Sequence, residues 1–130
     1  SFFFSFGFTM KAQNFNKLSR LFHSSYWEGT DVEGASKAKF IDFNAKEVIA
    51  YNIKKGELFV LKYFAKISQG SFIIKVVSSK AGKIYSKEIT DVFSDKVEFK
   101  SHQNDKIKIF LKGKKNASGS YDLVYGDNIE

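Results

Sequence analysis

Tyr26 and Trp27 are the side chains of this sequence best suited to holding a sugar. They open the polar segment Ser25–Ser36, SYWEGTDVEGAS, and Trp27 is the only tryptophan among 130 residues. An exposed indole beside polar groups can stack on a sugar ring, although an aromatic at a strand edge more often packs against its own sheet. The same segment carries the densest acidic patch, Glu28, Asp31 and Glu33, with Gly29 and Gly34 between and beside them. Carboxylates in a loop can hold calcium. Here the spacing departs from the D-x-[DN]-x-[DN]-G loop, so a solvated loop and no bound metal are expected.

The other chemistry-bearing residues are scattered. His23 and His102 are the only histidines, are far apart in sequence and have polar neighbours, which fits surface positions. A metal site or a catalytic triad needs partners at defined geometry. With no cysteine and no acid, base and nucleophile set, no catalytic residue, no cofactor and no enzymatic activity are expected. Asn116-Ala117-Ser118 matches a glycosylation sequon but reads better as a turn.

The net charge of +7 comes almost wholly from lysine, Arg20 being the sole arginine. Specific phosphate recognition usually uses the guanidinium fork, so no nucleic-acid partner is expected. A lysine surplus favours a solvated surface with mild preference for anionic polymers or membranes. Lys112, Lys114 and Lys115 would form a basic rim with Lys54 and Lys55 if those two turns share one end of the fold.

The elements that must position these residues follow from periodicity. Glu57–Val77, ELFVLKYFAKISQGSFIIKVV, is the longest apolar run. Phe59, Leu61, Tyr63, Ala65 and Ile67 alternate with the more polar register of Lys62, Phe64 and Lys66, the pattern of a strand with one face to the core. Ser68-Gln69-Gly70-Ser71 reads as the turn of a hairpin leading into Phe72, Ile74 and Val76. The run looks like core, which places function in the loops around it.

Further strands are expected at Ser1–Met10, Lys37–Phe43, Glu47–Ile53, Lys83–Ile89, Lys96–Lys100, Lys106–Lys112 and Ser120–Tyr125. Asn44-Ala45-Lys46 and Gly113–Gly119 read as hairpin connections, and Thr90–Asp95 as a loop whose Val92 and Phe93 plug the core. In Lys11–Ser24 a short helix near residues 15–24 and an irregular strand both stay open. The expectation is an all-β, antiparallel, jelly-roll-like β-sandwich of about eight or nine strands, residues 1–130 forming one domain. A chain without proline must turn on Gly, Asn, Asp and Ser.

The segments KKGELFVLKY, ISQGSFIIKVVSSKAGKIYSKEI and DKIKIFLKGKKNASGSYDLVY, spanning Lys54–Gly126, resemble small extracytoplasmic β-sandwich domains of Gram-positive bacteria, of lipoprotein type. The resemblance implies an exported sandwich at the cell envelope, tethered to the membrane by a lipid anchor upstream of Ser1. It implies location rather than mechanism. The leading expectation is therefore a non-enzymatic extracytoplasmic module for binding or structure, its partner a cell-envelope polysaccharide or an anionic polymer. The alternatives are a carbohydrate-binding module using Tyr26 and Trp27, and a single-strand nucleic-acid binder of the five-stranded OB type.

Overall fold

Alternating burial from Leu58 to Ser78 belongs to one continuous strand of 21 residues, and the same holds over the 23 residues from Asp105 to Asp127. In the computed structural model, which describes residues 24–129, these two strands pair antiparallel along almost their whole length. In chain order the elements are β1 (Tyr26–Val32), β2 (Ala35–Phe43), β3 (Lys46–Ile53), β4 (Leu58–Ser78), β5 (Gly82–Ile89), β6 (Val92–Lys100) and β7 (Asp105–Asp127).

Strands usually run three to about ten residues, and β4 and β7 exceed that because each bends midway and serves two layers. The first arm of β4 lies between β6 and the last arm of β7, with β2 and then β1 beyond. The second arm of β4 lies between β5 and the first arm of β7, with β3 beyond. One sheet is thus folded over itself into a front layer, β1-β2-β7-β4-β6, and a back layer, β3-β7-β4-β5. This is an antiparallel sandwich of jelly-roll-like form.

Its inner faces meet in one apolar cluster. Phe59, Leu61, Ala65, Leu123 and Phe40 come from the front, and Phe72, Ile74, Val76, Ile107 and Ile109 from the back. Phe72 stacks on Tyr121 across the layers (ring centroids 5.4 Å, 14° between planes) and touches Phe40 at 5.4 Å. Each such ring withdrawn from water contributes about 2–3 kcal/mol before entropy is counted.

The crease is built from backbone that comes too close for side chains. A Cβ on Gly119 would stand 2.1 Å from the Lys66 carbonyl oxygen, and one on Gly70 would stand 2.5 Å from that of Lys115. Gly70 also has φ 69°, a left-handed conformation that other residues adopt at a cost. Side chains then tie the bent strands together. The Asn44 amide donates to Asn116 Oδ1 (2.6 Å) while the Asn116 backbone N–H donates to Asn44 Oδ1 (2.8 Å). Gln69 Nε2 donates to the Asn116 carbonyl, and the Ile67 N–H to that of Asp91.

Several expectations are corrected by this arrangement. Ser68–Ser71 is no hairpin turn: the arms on either side of Gly70 do not pair with each other, and the glycine supplies a bend. Gly113–Gly119, with the Asn116 sequon, is the matching bend of β7. Asn44-Ala45 carries the chain from β2 in the front layer to β3 in the back, where each pairs with a different arm of β7. Ser25–Ser36 is not a loop but β1, a tight turn at Glu33-Gly34, and the start of β2. Thr90–Asp95 mostly belongs to β6, its Phe93 packed against the core and its Val92 exposed. The described residues hold seven strands, each bent pair of arms counting as one and β1 being added. The expected strand Ser1–Met10 and, apart from Ser24, the candidate helix near residues 15–24 lie outside the described residues.

Alanine at two glycines separates bend from crowding. At Gly56 (φ 87°), where a Cβ meets nothing within 4 Å, the substitution costs about 1–2 kcal/mol, the left-handed penalty alone. Gly70→Ala should lose about 2 kcal/mol more in urea unfolding, because backbone must also move apart. Equal losses would contradict the crease.

Candidate functional site

The outer face of the front layer presents a row of side chains in strand register: Thr30 on β1, Lys37 on β2, Asp122 on β7, Phe64 on β4 and Ser94 on β6. Four strand spacings make the row about 19 Å long. A parallel row above it holds Glu28, Lys39, Ser120 and Lys66. At the centre, Phe64 keeps 48 % of its surface exposed although it sits mid-strand. Its inward neighbours Tyr63 and Ala65 fill the core, so alternation alone turns the Phe64 ring to solvent. Hollows of roughly 470 and 540 Å³ open on either side of it, and both are lined by Phe64 and Asp122.

The residues singled out from sequence divide between the two faces of β1. Tyr26 and Glu28 point outward, and the Tyr26 hydroxyl donates to Glu28 Oε1 at 2.5 Å. That bond to the carboxylate raises the phenol's pKa above its ordinary value. Trp27 points inward. Its half-buried ring stacks on Phe40 at 5.5 Å and packs on Phe43 at 5.0 Å and Tyr121 at 6.2 Å.

Asp31 is also on the inward register, where it accepts a hydrogen bond from Ser36 Oγ. Ser36 Oγ in turn lies 2.9 Å from the Tyr121 hydroxyl. Glu28, Asp31 and Glu33 therefore do not converge, and no cluster of three metal-ligating side chains occurs among the described residues. The basic rim is not formed either. Lys54 and Lys55 follow the end of β3 at Ile53, whereas Lys112 pairs with Lys46 at its start, a strand length away, and Lys114 and Lys115 lie beyond at the crease. The residue that sequence reasoning missed is Phe64. Its place in the polar register between Lys62 and Lys66 was the available signal.

No family model and no curated protein matches the chain. Among solved structures it is similar to the C-terminal CBM6 of a laminarinase from Zobellia galactanivorans (9 % identity, TM-score 0.42, 78 % of this chain and 92 % of that one). It is also similar to the carbohydrate-binding module CBM6cm-2 of Cellvibrio mixtus lichenase 5A, in complex with cellotriose (15 %, 0.41, 76 % and 85 %). A third is TmCBM61 in complex with β-1,4-galactotriose (13 %, 0.43, 82 % and 91 %). At this degree of likeness no shared ligand follows.

Two tyrosine–carboxylate contacts close the edges of the sandwich. At one edge the Tyr85 hydroxyl of β5 donates to Asp95 Oδ2 of β6 at 2.8 Å and lies 2.5 Å from the Tyr63 hydroxyl; burial pushes the Tyr85 pKa far up. At the other, Tyr51 of β3 packs on Phe59 and Tyr125 of the front layer and donates to Asp127 Oδ1 at 2.8 Å. Desolvation and that bond push Tyr51 from 10.0 up to about 12. A raised acid keeps its proton in the folded state after the unfolded chain has released it, so its contribution is complete below the ordinary value and lost as pH rises toward 12. Urea midpoints of the native protein should thus fall between pH 10 and 12 more steeply than those of Tyr51→Phe. Parallel curves would refute the linkage.

Proposed function

We propose that this chain is a non-catalytic carbohydrate-binding β-sandwich that holds a neutral polysaccharide across the outer face of its front layer. The observation that carries this reading is the half-exposed Phe64 ring at the centre of a groove-forming sheet, with Asp122 beside it in register. An aromatic face offers a sugar ring an apolar platform, while Asp122, Lys37, Thr30, Ser94 and Ser120 offer acceptors and donors to its hydroxyls.

The two open hollows on either side of Phe64 together span five strands, which suits an extended chain laid across the face more than a small molecule that is enclosed. Its side chains stand on paired strands, so little ordering entropy is lost on binding. Of the carboxylates on this face, Glu28 and Asp122 sit on strands separated by β2 with Lys37 and Lys39 between them, Glu98 is paired with Lys96 at 3.2 Å, and Asp95 beside Ser94 accepts from the Tyr85 hydroxyl. The stacking role passes from Trp27, which is committed to core packing, to Phe64, with Tyr26 and Glu28 at the margin. A polysaccharide ligand also suits the extracytoplasmic setting implied by the sequence resemblance.

Affinity electrophoresis against soluble β-glucan, xylan and galactan tests the reading. Retardation should occur in at least one gel. Phe64→Ala should weaken it about tenfold, or 1.4 kcal/mol, with only a small loss of thermal stability because about half of the ring is already exposed. Asp122→Ala should act in the same direction. Retention of full affinity by both variants would place the ligand elsewhere, and no retardation in any gel would end the proposal.

A further inference from the structure

The opposite side of the molecule has a different chemistry that the Phe64 groove does not use. Outward positions of the back layer carry Lys46 on β3, Lys75 on β4, Lys83 on β5, and Lys106, Lys108 and Lys112 on β7. The paired registers bring these strands side by side, about 4.8 Å apart, with successive outward residues about 7 Å apart along each. Among the described residues one acid shares this face, Glu88, and it is engaged by Lys114 at 3.9 Å. Among the described residues this single acid leaves the field of lysines on the face largely uncompensated. Such a field raises the local concentration of anions and repels a second copy of itself.

The detail of the face narrows its partner. Its one aromatic, Phe110, is only partly exposed, with the Lys46 and Lys75 ammonium groups 5.3 and 5.0 Å from its ring centre. These cation–π contacts hold two charges in place and set ammonium groups where a nucleobase would have to stack on the ring. Among the described residues the face has no arginine, the side chain that forks onto phosphate. Among the described residues its one large exposed hydrophobic is Val48, 37 % exposed, little apolar surface with which to enter a bilayer. Compact, strongly hydrated ammonium groups in a regular array suit a flexible polymer that carries carboxylates or sulfates at intervals. We infer that the back layer of this protein is a second binding surface, for an acidic polysaccharide, held by the lysines of β3, β4, β5 and β7 independently of the Phe64 groove.

Titration with polygalacturonate over a series of salt concentrations tests the inference, with neutral dextran, oligothymidylate and anionic phospholipid vesicles as comparators. The intact chain should bind the polyuronate, bind dextran undetectably at this face, and lose affinity steeply and log-linearly with salt. Lys106→Gln/Lys108→Gln/Lys112→Gln should reduce that slope by about two, less than one counterion for each ammonium removed because a single-chain polyanion condenses fewer of them than duplex DNA. Affinity at low salt should fall at least tenfold, while retardation by a neutral glycan that depends on Phe64 stays as in the native chain. Phe64→Ala should show the converse. Unchanged polyuronate binding in the triple variant overturns the inference, as does tighter binding to the oligonucleotide or the vesicles than to the polyuronate. Because the two variants address opposite faces, failure here is distinct from failure of the neutral-glycan site.

Discussion

Two strands can turn a corner together only if their backbones nearly touch at the turn, and this fold depends on that contact. The Gly119 position leaves 2.1 Å between a hypothetical Cβ and the Lys66 carbonyl, and the Gly70 position is almost as tight against Lys115. Any side chain at either place forces the β4/β7 ribbon apart just where it changes layer. The hydrogen bonds of Asn44, Asn116 and Gln69 then hold β2, β7 and β4 to a common bend, so the flanking strands follow the central pair round the crease. The front and back layers are consequences of this one line.

Folding one sheet over itself fixes what each residue can do. Every strand has an inner register that belongs to the shared core and an outer register that belongs to one of two opposed faces. In the front layer the outer register at mid-strand is Phe64, flanked by hydroxyls, lysines and a carboxylate. In the back layer the equivalent central position is Phe110, covered by lysine ammonium groups. One ring is half exposed to solvent and the other has two ammonium groups beside it. Two faces of one sheet thereby acquire different surface chemistry without any loop being required to supply it.

Much of the architecture was legible in the sequence, because alternation reports burial directly. The inward set of Phe59, Leu61, Tyr63, Ala65 and Ile67 is in the core as its spacing implies, and the strand identities of β2, β3 and β5 follow from the same rule. What was not legible is the difference between a reversal and a bend. Ser68-Gln69-Gly70-Ser71 has the composition of a hairpin turn, and a glycine with positive φ serves either purpose. Only the pairing of both arms with β7, whose Gly113–Gly119 bends in concert, decides between them. The site was missed for a related reason. Treating the whole apolar run as core hid Phe64, whose neighbours Lys62 and Lys66 share its outward register, and drew attention to Trp27, whose position on the inward register of β1 required knowing that β1 was a strand.

The most direct test of the account is a backbone-amide chemical-shift map of the labelled protein titrated with a neutral oligosaccharide that it retards on a gel. The account predicts that the shifts cluster on the outer face of the front layer, at Lys37, Phe64, Ser94, Ser120 and Asp122, and leave Lys106, Lys108 and Lys112 unmoved. Shifts confined to the Glu33-Gly34 turn and the other inter-strand loops, with Phe64 and Asp122 unaffected, would contradict it.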